Sequence, residues 1–186
     1  MTKLNIDSKV RMNSGYEIPL LGYGVYQTPA TECQKVTHHA IESGYRHVDS
    51  ATVYRNEEPA AKGMLQSGGI PREQLFFTSK VPPRSINYED AKKCVNESLR
   101  KTGLDYIDLY LLHAPYGGKD GRLGAWKGLV ECVAEGKVRS IGYASQIPQS
   151  NALLTLCLPV SRITACTIST SLSSGKSLNL PRRPAY

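Results

Sequence analysis

Four polar residues lie at or just beyond apolar runs that predict β-strands, and their side chains could together deliver a proton to an oxygen atom. Asp49, Lys80 and His113 each end such a run, and Tyr54 lies five residues beyond Asp49. A charged side chain at the end of an apolar strand needs a partner, because burying a lone charge costs free energy. We therefore expect the carboxylate of Asp49 to neutralise the ammonium group of Lys80.

This pairing leads to a chemical interpretation of Tyr54 and His113. The positive charge of Lys80 beside Tyr54 would lower the pKa of its phenol, which is about 10 in water. Tyr54 could then donate a proton to a carbonyl oxygen near neutral pH, and His113 could hydrogen-bond and orient the same oxygen. The set provides a proton donor and an oxyanion site but no nucleophile and no metal site. A hydride must therefore come from a cofactor.

The elements that must position these residues alternate between strands and helices over residues 1–142, as is typical of a parallel sheet built from β/α units. Asn13-Ser14-Gly15 predicts a hairpin turn near the amino end. The predicted strands cover 20–25, 45–49, 75–80, 106–113 and 138–142, and the predicted helices cover 31–43, a segment beginning near 56, 88–101 and 125–134. The predicted fold class is α/β, a partial (β/α)8 barrel of an N-terminal hairpin plus about five β/α units, with its active site where the strands end.

Length and composition exclude several classes of protein. At 186 residues the chain is shorter than the roughly 250 residues of a typical eight-unit barrel. Four basic residues of the +7 net charge lie in segment 143–186, which has no acidic residue, so the +3 that remains indicates no nucleic-acid partner. No apolar run approaches the roughly 20 residues of a membrane span, and no secretory signal is evident, so we expect no membrane partner and a cytoplasmic location. Five scattered cysteines predict neither a disulfide framework nor a zinc site.

Several motifs resemble, in order, those of the aldo-keto reductase family: GYEIPLLGYGVYQT, GYRHVDSATVYRNEE, LFFTSKV, YIDLYLLHAP and GKVRSIG, which cover residues 11–142 almost continuously. The resemblance implies reduction of aldehydes or ketones to alcohols by NADPH, with NADP(H) as cofactor and a small carbonyl compound as substrate. It implies catalytic roles for Asp49, Tyr54, Lys80 and His113, cofactor binding by Asp49, and substrate binding by Tyr26 and His113. It implies no metal and leaves the oligomeric state open.

The resemblance ends at Gly142. Family members follow the fifth strand with a Val-Ser-Asn run that holds the nicotinamide carboxamide, whereas this chain reads GYASQ from Gly142 onward. The family's three later strands, which carry a tyrosine that stacks on nicotinamide and a basic loop for the adenosine phosphate, have no counterpart. We therefore expect residues 1–142 to be the N-terminal part of a barrel, residues 143–186 to be a disordered tail of different origin, and activity to be impaired.

One hypothesis explains the tail by a retained intron that shifts the downstream reading frame. Codons permitted for residues 162–171 can encode, in another frame, a segment like the one that follows the fifth strand in the family. A spliced transcript that keeps the present tail would contradict this hypothesis.

Two other functional interpretations stay open. Lys80 could be the nucleophile of a Schiff-base lyase, although pairing with Asp49 would keep its amine protonated. The chain could also be an inactive fragment or a non-enzymatic binding module, since a lysine or aspartate at a strand end can belong to a structural ion pair. Borohydride trapping with substrate would indicate the lyase, and capture of a partner without cofactor would indicate the binding module.

Overall fold

The computed structural model describes residues 5–66 and 68–144, which form a five-stranded parallel sheet, a separate hairpin and four α-helices. The strands are β1 (Lys9–Arg11), β2 (Glu17–Pro19), β3 (Tyr23–Gly24), β4 (His47–Asp49), β5 (Phe76–Val81), β6 (Ile107–Leu112) and β7 (Val138–Tyr143). The helices are α1 (Ala30–Glu42), α2 (Glu57–Gln66), α3 (Tyr88–Thr102) and α4 (Gly118–Ala134). The sheet order from β3 to β7 follows the chain, so each helix connects two neighbouring parallel strands.

The central strands are covered on both faces. Every residue of β5 and β6 is buried, which explains why IDLYLL is nearly all apolar rather than alternating. The buried polar residues of β5 have partners: Thr78 bonds His47, Ser79 donates to Glu57, and Lys80 donates to Asp49. On one face, Phe77 and Tyr110 belong to the same core cluster as Val95 of α3 and Leu129 of α4. Removal of this apolar surface from water is the main favourable contribution to folding.

The hairpin of β1 and β2 packs against the other face of the sheet, at the end where the strands begin. Gly15 in its turn has a φ of 91°, a conformation that glycine adopts without a steric penalty. Next to it, the hydroxyl groups of Ser14 and Ser140 are 2.7 Å apart, which ties the turn to β7. The hairpin predicted at Asn13-Ser14-Gly15 is confirmed. Its residues Met12 and Ile18 form a second apolar cluster with Phe76, Leu109 and Leu111 of the sheet.

Two elements differ from the prediction. Helix α4 begins at Gly118 rather than at 125, although GKDGRLG has a low helix propensity. A Cβ at Gly121 would lie 2.6 Å from the carbonyl oxygen of Ile86, so close packing requires glycine and overrides the propensity. Strand β3 covers only Tyr23–Gly24 instead of 20–25.

Within residues 5–66 and 68–144, no helix has both the length and the apolar character needed to cross a membrane. In this part of the chain there is also no group of three or more His, Cys, Asp or Glu side chains arranged to hold a metal ion. The tail predicted to be disordered from residue 143 does not begin there, because Tyr143 is the last residue of β7. Beyond Ala144, that prediction falls outside the described residues.

Candidate active site

The four predicted catalytic residues lie at the end of the sheet that is formed by the carboxyl ends of the parallel strands. Asp49 is the last residue of β4, and Lys80 is the penultimate residue of β5. His113 directly follows β6. Tyr54 ends a short 3₁₀ turn, Thr52–Tyr54, that leaves the end of β4. The structure therefore brings together all four side chains that the strand pattern predicted to converge.

Asp49 and Lys80 form a buried ion pair. The ammonium group of Lys80 donates to a carboxylate oxygen of Asp49 and, at 2.9 Å, to the carbonyl oxygen of Ser50. Both residues are almost fully buried, at 4% and 6% exposure. Burial raises the pKa of Asp49 and lowers the pKa of Lys80, and the attraction between the two charges opposes both shifts. The expected pairing is thus present, and it places a positive charge directly beneath the tyrosine.

The ring of Tyr54 lies at the centre of the predicted site. Its centroid is 5.1 Å from the ammonium nitrogen of Lys80 and 5.6 Å from the imidazole centroid of His113. On its other side, the ring of Tyr26 is 5.0 Å away, and Tyr26 is exposed. The rings of Tyr54, His113 and Tyr26 are therefore neighbours.

The pKa of Tyr54 differs from the sequence-based expectation. Burial, followed by the negative charge of Asp49 and by Tyr26, raises the pKa of Tyr54 to about 12. The expectation that Lys80 lowers this pKa is therefore wrong for the chain without cofactor. The physical reason is that Asp49 compensates the charge of Lys80, while the half-buried phenol loses part of its hydration.

His113 is neutral in this environment. Burial, followed by the nearby positive charge of Lys80, lowers the pKa of His113 to about 4. Its Nδ1 atom is buried and has no hydrogen-bond partner among the described residues. A neutral imidazole beside a phenol can hydrogen-bond an oxygen atom without adding a second positive charge next to Lys80.

Sequence reasoning missed the short polar residues that hold this site in place. The hydroxyl of Thr52 donates to the carbonyl oxygen of Lys80 at 3.0 Å, which fixes the turn bearing Tyr54 to the end of β5. The hydroxyl of Ser50 donates to the side chain of Asn56 at 2.9 Å. The available signal was the run of short polar residues around Tyr54 in DSATVYRNE, which lies between two buried elements.

A separate cleft of about 270 Å³ lies at the opposite end of the sheet, between the hairpin and the beginnings of the strands. Its lining includes Tyr16, Asp108 and Arg139, but none of the predicted site residues. The carboxylate of Asp108 there is engaged by Arg72 at 2.6 Å and by the backbone N–H of Phe77 at 2.9 Å. This cluster joins strands and stays outside the candidate active site.

Comparison with known proteins decides the family. The model of the aldo/keto reductase family matches residues 20–165. The chain belongs to the aldo/keto reductase family. Its similarity to the glyoxal reductase of Bacillus subtilis is 39% identity over 145 residues, covering 76% of this chain and 50% of the relative.

Solved aldo/keto reductases share the fold. An aldo/keto reductase from Brucella melitensis superposes with a TM-score of 0.75 at 38% identity, covering 80% of this chain and 58% of that one. An aldo-keto reductase from Bombyx mori, solved in complex with NADP, gives a TM-score of 0.74 at 31% identity, covering 83% of this chain and 56% of that one. The predicted α/β class and partial (β/α)8 barrel are confirmed.

This aldo/keto reductase chain spans about half the length of the curated relatives it matches. The family match also continues beyond Gly142, where the recognisable motifs end, to residue 165. The proposed division at residue 142 and the catalytic roles of the four residues stay predictions.

Proposed function

We propose that this chain carries the proton-donor site of an NADPH-dependent reductase that converts aldehydes or ketones to alcohols. The observation that carries the proposal is the position of the Tyr54 phenol between the imidazole of His113 and the buried pair of Asp49 and Lys80. Membership of an oxidoreductase family and the similarity to a glyoxal reductase support carbonyl compounds as the substrate class.

Tyr54 is proposed as the general acid. Its raised pKa keeps the phenol protonated, so it can donate its proton to the carbonyl oxygen of the substrate. The negative charge left on Tyr54 is stabilised by the ammonium group of Lys80, 5.1 Å from the ring. Asp49 and the carbonyl of Ser50 hold that ammonium group in place. Tyr54 regains its proton from solvent after the alcohol leaves.

His113 and Tyr26 are proposed to bind the substrate. The neutral imidazole of His113 hydrogen-bonds the carbonyl oxygen and turns it towards the phenol of Tyr54. Tyr26, exposed and in ring contact with Tyr54, provides an aromatic wall for the rest of the substrate. A proton donor and a neutral imidazole that converge beside one cation suit an oxygen atom that becomes negatively charged during the reaction.

NADP(H) fits this donor set, because the site supplies a proton but has no group of its own that supplies a hydride. A bound NADPH would supply the hydride that the carbonyl carbon accepts. Among the described residues, Asp49 at the carboxyl end of β4 is the proposed cofactor contact. With the hydride on carbon and the proton of Tyr54 on oxygen, the carbonyl compound becomes an alcohol.

A Tyr54→Phe variant tests the assignment. The 186-residue chain is assayed with NADPH and 4-nitrobenzaldehyde by the loss of NADPH absorbance. We expect slow turnover in the unmodified chain and a further loss of about 100-fold or more in Tyr54→Phe, because the acid catalyst is removed while the ring is kept.

Tyr88→Phe is the matched control. It also removes one hydroxyl group, which contacts Glu131 at 2.6 Å between α3 and α4. Its turnover should equal that of the unmodified chain. Equal rates in Tyr54→Phe and Tyr88→Phe, or no turnover in the unmodified chain, would overturn the proposal for this chain. Fast turnover in the unmodified chain would overturn only the expectation of impaired activity.

The lowered pKa of Lys80 is the observation that favours the Schiff-base alternative, because a neutral amine is the nucleophile. The hydrogen bonds from Lys80 to Asp49 and to the carbonyl of Ser50 argue against the lyase, because they stabilise the protonated amine, which is not a nucleophile. Borohydride reduction in the presence of 4-nitrobenzaldehyde should leave Lys80 unmodified. A covalent adduct at Lys80, detected by peptide mass spectrometry, would favour the lyase.

A further inference from the structure

Asn56 is a buried polar residue that joins three segments around the candidate active site. It is 1% exposed. Its side-chain nitrogen donates to the carbonyl oxygens of Val25 at 2.8 Å and Thr28 at 3.0 Å, and its side-chain oxygen accepts from the hydroxyl of Ser50 at 2.9 Å. Three of the four hydrogen bonds that a carboxamide can make are therefore present.

The orientation of the Asn56 carboxamide follows from the chemistry of its partners. The backbone oxygens of Val25 and Thr28 can only accept, so the NH₂ group must face them and the oxygen must face Ser50. Removal of the NH₂ group would leave the carbonyl group of Thr28 without this donor, whereas the carbonyl group of Val25 would keep the backbone N–H of Thr28 at 3.1 Å.

The two bonds to Val25 and Thr28 bracket the loop that carries Tyr26. Within this loop Gln27 has a φ of 60°, and Arg55, directly before Asn56, has a φ of 58°. They are the positive-φ residues other than glycine within the described parts of the chain. Residues other than glycine rarely adopt a positive φ unless the surrounding contacts stabilise it. The carboxamide of Asn56 bonds the residues on both sides of the Tyr26–Gln27 segment, and Asn56 itself directly follows Arg55.

We propose that Asn56 is a positioning residue that holds the Tyr26 loop against Tyr54 and thereby shapes the substrate side of the site. The effect on substrate binding rests on the proposed reductase function, but the position of the loop can be tested without measuring activity. The observable is the contact between the rings of Tyr26 and Tyr54, whose centroids are 5.0 Å apart.

The experiment measures nuclear Overhauser cross peaks between tyrosine rings in the full chain with isotope-labelled tyrosine, and single Tyr→Phe variants assign the signals. We expect the Tyr26–Tyr54 cross peak to disappear in Asn56→Ala. The cross peak between Tyr23 and Tyr45, whose centroids are 5.8 Å apart, is the internal control and should persist. Asn56→Asp has the shape of the native residue and keeps the acceptor for Ser50, so it serves where the alanine variant does not fold.

Ile41→Val is the matched stability control. It removes a buried methylene group from α1 but none of the hydrogen bonds of Asn56, so a general loss of stability affects it as well. Both tyrosine cross peaks should persist in Ile41→Val. A Tyr26–Tyr54 cross peak that persists in a folded Asn56 variant, or a parallel loss of both cross peaks, would overturn the proposal.

Kinetics separate this proposal from the reductase assignment. If the chain reduces 4-nitrobenzaldehyde, Asn56→Ala should raise KM about tenfold while kcat stays within about twofold, because a displaced Tyr26 weakens substrate binding. A fall in kcat with unchanged KM would overturn the role in substrate positioning. Loss of the cross peak in a chain that shows no turnover would support the loop geometry and count against the reductase assignment alone.

Discussion

Burial gives Tyr54 and His113 opposite pKa shifts that keep both residues neutral near pH 7. The pKa of Tyr54 is raised to about 12, so its phenol stays protonated below that pH, and the pKa of His113 is lowered to about 4, so its imidazole stays neutral above that pH. We therefore expect neither group to produce a change in kcat/KM between about pH 5 and about pH 10. Initial rates with 4-nitrobenzaldehyde across this range would measure the profile.

A decline of kcat/KM centred near pH 9 would contradict this expectation if Tyr54→Phe abolishes the decline while Tyr88→Phe keeps it. Such a result would restore the interpretation made from the sequence, in which Lys80 lowers the pKa of Tyr54. The sequence could predict that the two side chains meet, because both follow from strand ends. It could not predict the sign of the shift, because that depends on how deeply the phenol is buried and on how completely Asp49 compensates Lys80.

Asn56 marks a further limit of residue-scale prediction. Its bonds to Val25 and Thr28 cross about thirty positions of the chain and depend on the path of a loop. An asparagine directly before α2 is typical of an ordinary helix-capping residue, so the sequence offers no distinct signal that Asn56 bonds the Tyr26 loop. Asp49, Lys80 and His113 were predictable because an apolar run ends at each of them.

Elements with strong patterns were predicted well, and elements shaped by close packing were not. Strands β5 and β6 and helix α3 lie within one or two residues of their predicted bounds, because buried apolar runs and a helical period are local signals. The helix α3 begins after Asn87, whose side chain accepts from the backbone N–H of Asp90, and ends at Gly103 in the left-handed conformation. The start of α4 was missed because Gly121 packs against Ile86, which is far from it in the sequence.

The contact between α1 and α2 provides a prediction at the scale of the elements. A Cβ added at Gly63 of α2 would lie 2.3 Å from the carbonyl oxygen of Gln34 in α1. We expect Gly63→Ala to reduce the free energy of unfolding by about 1–3 kcal/mol, because forced separation of the helices outweighs the gain in helix propensity of about 1 kcal/mol. Urea unfolding followed by the fluorescence of Trp126 measures the change.

Gly68→Ala is the control for this substitution, because no atom lies within 4 Å of the added Cβ. It should change the free energy of unfolding by no more than about 0.5 kcal/mol. A stabilised Gly63→Ala variant would show that α1 and α2 separate easily, and the close packing of the two helices would then be unimportant for stability.

At the scale of the whole molecule, the candidate site and the hairpin lie at opposite ends of the same sheet. The site uses the carboxyl ends of the strands, where loops can differ without disturbing strand pairing. The hairpin closes the other end through Met12 and Ile18, which pack on Phe76 and Leu109. This division explains how a chain that spans about half the length of its relatives still places four site residues together: each comes from an element whose neighbours in the sheet are present.

His47 is a buried residue at the start of β4, and we expect it to make global stability sensitive to acid. It is 4% exposed, bonds the hydroxyl of Thr78 at 2.9 Å, and lies against Gly22. Burial, followed by the charge of Lys80, lowers the pKa of His47 to about 4 from its ordinary 6.5. The unfolded chain therefore binds a proton that the folded chain excludes, so this contribution to stability is complete above pH 6.5 and is lost as the pH falls towards 4.

We expect this single group to lower the free energy of unfolding by about 2 kcal/mol between pH 7 and pH 5. Urea unfolding of His47→Gln, followed by Trp126 fluorescence, should show a correspondingly smaller difference between the two pH values. Ile41→Val, which removes a buried methylene group but no ionisable group, should keep the full difference while lowering stability at both pH values. Equal acid sensitivity in His47→Gln and the unmodified chain would show that the imidazole becomes protonated without disturbing the fold, and the interior around Lys80 would then be more hydrated than its burial indicates.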